Sequence, residues 1–166
     1  MAGLAGELID MLYGQLGLYD SLLALSIQKK DSIVRNEVEV LRAITEQENI
    51  IIGKIQRAEK KRSEVMKDIA AVMNQDKAGI TLRAVAESMK DRPEALELTK
   101  ISGEFKDTLD ELAYVNALNR ELLNSALEYN EFSINVLRST YDTEAPIFSP
   151  EGEKVQRPGQ LLNVRS

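Results

Sequence analysis

Apolar residues return every three and four positions over two long stretches of this chain. From Val38 the steps pass through Leu41, Thr45, Glu48, Ile52, Ile55, Glu59, Arg62, Met66, Ile69 and Met73, the a/d seam of a helix packed lengthwise on other helices. A second run passes through Leu98, Phe105, Leu109, Leu112, Asn116, Asn119, Leu123, Ala126, Asn130, Ser133 and Leu137. A flanking stripe at Ile101, Val115, Leu122, Tyr129 and Val136 widens its apolar face.

The same reasoning divides the rest of the chain. Leu4, Leu8, Met11, Leu12, Leu16, Tyr19, Leu22, Leu23 and Ile27 predict a first helix over 2–30, with few charges before Lys29. Gly14 and Gly17 weaken that helix by roughly 1 kcal/mol each relative to alanine, so neighbours must cover it, and the glycines are expected to allow close helix approach. Asn36, three residues before Glu39, reads as the N-cap of a second helix reaching Met73, a rod of about 55 Å at the usual rise per residue. Asn74 to Gly79 reads as a cap and loop, and Thr81 as the cap of a short helix through Met89. Pro93 suits the first turn of a last long helix that extends to about Ser139. Three of the four prolines, Pro146, Pro150 and Pro158, then exclude a continuing helix over 141–166. Apolar residues Ile147, Phe148, Val155, Leu161, Leu162 and Val164 give that tail a means of docking.

The expected fold is all-α: an elongated antiparallel bundle of three long helices plus one short helix over 1–140, with a non-helical C-terminal tail over 141–166. Composition agrees, at 43% hydrophobic, 29% charged and only 5% aromatic. Six polar seam positions need partners if buried: Glu48, Glu59, Arg62, Asn116, Asn119 and Asn130. With the second and last helices antiparallel, Glu59 and Arg62 are expected level with Asn116 and Asn119, in a hydrogen-bonded layer that fixes register.

Net charge is −6, which disfavours nucleic acid as a partner. The charge is uneven. Lys54, Arg57, Lys60, Lys61, Arg62 and Lys67 crowd one segment, while 94–131 is acidic; the two either attract each other as neighbours or leave a basic anion-binding patch. No histidine and no cysteine are present, which removes imidazole bases, catalytic triads of the usual kind, thiolate nucleophiles and the common zinc sites. No glycine-rich phosphate loop stands out. No catalytic residue, metal ligand or cofactor is therefore expected, and the chain is read as a binding protein rather than an enzyme. The absence of a basic leader, a long apolar run or cysteine fits a cytoplasmic protein with no membrane insertion.

The distal half of the last helix carries Leu122, Leu123, Ala126, Leu127, Tyr129, Phe132, Ile134, Val136 and Leu137 around most of its circumference. A helix apolar on nearly all sides must be surrounded. Either the first two helices cover it, or Leu123, Leu127, Tyr129, Phe132, Ile134 and Leu137 receive an amphipathic helix from a partner.

The order of elements resembles the FlgN-type flagellar export chaperones. The residues that carry the likeness are the oily first helix, the Ile33-Val34-Arg35-Asn36-Glu37 break before Leu41, the 48–62 stretch, and the short Thr81-Leu82 helix. Asn116 and Asn119 with Leu122 and Leu123 complete it. The resemblance implies a chaperone that binds C-terminal helices of hook-filament junction proteins, prevents their premature assembly and delivers them to the type III export apparatus. It also implies docking to the membrane export gate through a tyrosine just past the last helix. Tyr141 stands there, although Asp142, Thr143, Glu144 and Ala145 replace the glycines of the family's setting; its other reading is an aromatic closing the bundle end. The competing function is a self-associating structural coiled coil, in which a homo-oligomer forms through the first helix or the tail.

Overall fold

A computed structural model describes residues 1–76 and 79–143, with side chains described through Tyr141. Four helices make it up: α1 (Ala2–Val34), α2 (Val38–Val72), α3 (Leu82–Ser88) and α4 (Pro93–Thr143). Among the described residues there is no strand, and the fold is all-α. The chain forms two compact units, Met1–Leu122 and a second that begins at Leu123.

The expected helix order is observed, and the junctions differ in chemistry. α1 runs to Val34 rather than to residue 30. Asn36 is not an N-cap: its φ of 57° places it in the left-handed region, where it ends α1. The Glu37 amide donates to Ser32 O at 2.9 Å and the Asn36 amide to Ile33 O at 3.1 Å, closing a Schellman turn on the orphan carbonyls of the last helical turn. The same device ends α2. Asn74 has φ 51°, and the Gln75 and Asn74 amides donate to Ala70 O and Ala71 O. Asparagine tolerates this backbone better than other residues with a Cβ, so two asparagines do what glycine usually does. Thr81 caps α3 as expected, its hydroxyl accepting from the Ala84 amide at 3.1 Å.

Cross-helix contacts fix the directions within Met1–Leu122. Gln15 meets Glu59 and Lys29 meets Glu48, so α1 and α2 are antiparallel. Tyr19 packs edge-on against Phe105 with ring centroids 5.7 Å apart, and Ser26 bonds Asn116, so α4 here runs parallel to α1. The short α3 permits that reversal after α2.

The core joins all four helices: Ala5, Leu8, Ile9, Leu12 and Leu16 from α1, Val65 and Ile69 from α2, Val85 and Ala86 from α3, and Ala95, Leu98 and Ile101 from α4. This covers the oily face of α1. Gly14 and Gly17 play no part in close approach: both are exposed, and a Cβ at either would meet nothing within 4 Å. Any docking of the tail over 144–166 lies outside the described residues.

Candidate helix-binding surface

The inward polar positions sort into two places. Glu48 and Asn119 are buried, Arg62 is half-buried, and Glu59, Asn116 and Asn130 are exposed. Glu59 accepts from Gln15 Nε2 at 2.9 Å and from the Arg62 guanidinium. Asn116 Oδ1 accepts from the Ser26 hydroxyl at 3.2 Å, and Asn119 Nδ2 donates to Ser26 O at 2.8 Å. Both groups are organised by α1. Gln15 and Ser26 are eleven residues apart on that helix, a rise of about 16 Å, so Glu59 and Arg62 do not share a layer with Asn116 and Asn119. Sequence reasoning missed Gln15 and Ser26, since a lone Gln or Ser in an oily helix carries no periodic signal.

Gln15 is 1% exposed, and its Oε1 and the Arg62 Nε have no hydrogen-bond partner among the described residues. Both residues line a cleft of about 500 Å³ with Leu12, Tyr19, Phe105 and Leu109, roomy enough for water to satisfy them. Partial burial pushes the Glu59 carboxyl up, but the hydrogen bonds from Arg62 and Gln15 and the Arg62 charge outweigh it, leaving the group below its usual value. A carboxyl lowered in the folded state stabilises above its unfolded pKa and loses that contribution as pH falls through the folded value. The stability advantage of the wild type over Glu59→Gln is therefore expected to shrink between neutral pH and pH ~3 in urea titrations. A pH-independent difference would contradict it.

The basic and acidic segments do not form ion pairs with each other among the described residues. Within 94–131 the ion pair is Lys100–Glu104 at 3.9 Å, and within 54–67 it is Arg62–Glu59.

Beyond Leu122 the large apolar side chains described on α4 are exposed. Leu123, Leu127, Tyr129, Phe132, Ile134, Val136, Leu137 and Tyr141 are 38 to 69% exposed. Tyr141 lies inside α4, in its last turn, rather than past its end. At about 100° per residue these side chains fall on two faces. Leu123, Leu127, Ile134, Leu137 and Tyr141 form one stripe with Asn130, in alternating steps of four and three. Tyr129, Phe132 and Val136 lie on the opposite side. The six residues named from sequence are thus divided four to two. A stripe of this heptad spacing is the surface that another amphipathic helix packs against.

A family model described as FlgN protein matches residues 1–155. The chain belongs to the FlgN family. No curated protein and no solved structure matches it. Family membership makes it a flagellar export chaperone in kind. No helix among the described residues of this FlgN-family chain is long and apolar enough to cross a membrane.

Proposed function

We propose that this chain is a cytoplasmic chaperone that takes C-terminal helices of hook-filament junction proteins onto α4. The client helix lies on Leu123, Leu127, Ile134 and Leu137, with Tyr129 and Phe132 open on the opposite face for a second client segment. The observation that carries this reading is the stripe of five large apolar side chains, Leu123, Leu127, Ile134, Leu137 and Tyr141, left exposed along one face of α4. Soluble proteins rarely keep so continuous a patch without a partner. Subunits that polymerise through amphipathic helices need those faces covered until export, and a bare helix of matching period covers them without any reactive group. Delivery to the export apparatus follows, with Tyr141, continuous with the client stripe, as the residue that meets the membrane export gate.

Calorimetric titration of the full chain with C-terminal segments of the junction proteins tests this. Saturable binding at a defined stoichiometry is expected, with loss of amide exchange specifically over 123–141. The absence of heat and of protection with every such segment, the protein remaining folded, would end the proposal.

A further inference from the structure

The cleft of about 500 Å³ beside Gln15 is lined by residues of all four helices and lies within the unit Met1–Leu122. Its polar part is built around one carboxylate. Glu59 accepts from Gln15 Nε2 on one oxygen and from a terminal nitrogen of Arg62 on the other. Those two bonds decide which atoms are left over. An amide that gives its N–H to a carboxylate keeps its oxygen as a spare acceptor, and a guanidinium held through a terminal nitrogen keeps Nε–H as a spare donor. Neither Gln15 Oε1 nor Arg62 Nε has a hydrogen-bond partner among the described residues, and Gln15 is 1% exposed. A buried acceptor and a buried donor left unmatched side by side are costly, so the cleft calls for a group that satisfies both.

The surroundings narrow the choice. Tyr19, Phe105, Leu109 and Leu82 line the rest of the cleft, and its charged residues cancel, Glu59 and Asp110 against Arg62 and Lys106. An entering carboxylate meets Gln15 Oε1 and Glu59, which can only accept; an entering ammonium meets Arg62 and Lys106. A neutral group with one donor and one acceptor avoids both conflicts. A primary carboxamide carries C=O and N–H on one edge, whereas a trans peptide unit directs them to opposite sides. Gln15 and Arg62 are tethered to the same carboxylate, so the side-by-side arrangement is the one that fits. A carboxamide alone leaves most of the space empty, and the apolar walls require hydrocarbon attached to it.

We propose that this cleft receives a glutamine or asparagine side chain of a partner protein, flanked by aliphatic residues. Its N–H donates to Gln15 Oε1, its carbonyl accepts from Arg62 Nε, and the flanking side chains pack on Tyr19, Phe105 and Leu109. Water holds the same positions in the free protein and leaves when the carboxamide takes over both bonds. This reading does not rest on the client stripe, which begins at Leu123.

The test is an NMR titration of the full chain, following the Gln15 side-chain amide and the Arg62 Nε–H. The probe is a tripeptide of leucine, glutamine and leucine, acetylated at one end and closed by an N-methylamide at the other, so that glutamine supplies its only primary carboxamide. Three more probes carry glutamate, lysine or methionine at the centre. The glutamine peptide is expected to shift both resonances saturably and to bind about tenfold or more tightly than the other three, because each of those leaves a polar atom of the cleft unmatched. Arg62→Lys keeps the charge without Nε, and Gln15→Met keeps the volume without the acceptor. Each is expected to abolish the preference for glutamine over methionine; Arg62 is half-buried, so its variant decides the matter should Gln15→Met lower the melting temperature. No shift at either resonance would leave the cleft to water and overturn the proposal. Equal binding of the four peptides, or a preference that survives in Arg62→Lys, would do the same. Free glutamine binding as tightly as the peptide would assign the cleft to a small molecule and overturn the partner reading.

Discussion

Leu98→Ala is expected to destabilise the protein by about 2–5 kcal/mol, the range for deleting a fully buried leucine whose surroundings collapse incompletely. Leu98 is wholly buried on α4, in the cluster that also contains Ala5, Leu8, Ile69, Val85 and Ile101, so its loss opens space among four helices at once. Against a total stability of roughly 5–15 kcal/mol this is a large fraction, and thermal melting followed by circular dichroism is expected to fall by on the order of 10 °C. Leu127→Ala supplies the contrast. The same atoms are removed from the same helix, but Leu127 is exposed, and its truncation is expected to stay within about 0.5 kcal/mol of the wild type. Equal losses at the two positions would mean that Leu127 is covered in solution, and would undercut both the core assignment and the free stripe.

The comparison of those two leucines shows what was readable in the sequence and what was not. Helix type, order and approximate extent follow from the period of apolar residues. The phase of the seam does not follow so directly. On α2 the inward row is Ile44, Glu48, Ile51, Ile55, Ala58, Arg62, Val65 and Ile69. Steps from Val38 place Glu48, Ile55, Arg62 and Ile69 correctly, but put Thr45, Ile52, Glu59 and Met66 where their preceding neighbours belong. On α4 the row is Leu98, Ile101, Phe105, Thr108, Leu112, Val115, Asn119 and Leu122, so much of the flanking stripe is the seam itself.

The physical reason is local ambiguity. Ile51–Ile52, Val65–Met66 and Leu122–Leu123 are apolar at both positions, and a shift of one residue turns a helix by about 100°. That turn moves Glu59 and Asn116 out of the interior and dissolves the single polar layer expected from the seam count. Partners on α1 decide the issue, and their contribution is tertiary: nothing near Gln15 or Ser26 in sequence announces that Glu59 or Asn119 will meet them. The Asn36 junction was legible as a break but not in kind. The Asn36–Glu39 spacing also suits an N-cap, and only the left-handed φ separates a helix end from a helix start. Exposure of the distal α4 residues could not be decided from sequence either, because an apolar circumference predicts a cover without saying whether the same chain provides it.

Replacing Leu127 and Ile134 together by arginine is expected to weaken binding of the client's C-terminal helix by roughly a hundredfold or more. Burying an aliphatic side chain of this size contributes about 1.5–3 kcal/mol, and interface energy concentrates in a few such anchors, so losing two of them from one stripe removes on the order of 3–6 kcal/mol. Arginine at these positions also places a charge where the client helix would have to desolvate it. Because both residues are exposed in the free protein, helicity and melting temperature are expected to stay close to wild type, which separates loss of binding from loss of fold. The opposite face provides the internal comparison. Phe132→Arg removes an aromatic that is equally exposed, about half a turn around α4 from Leu123 and its row, and is expected to change affinity for a single helix only a few-fold. Equal losses on the two faces would assign the client to the whole circumference of α4, and wild-type affinity in the Leu127 and Ile134 double substitution would remove this stripe from client binding.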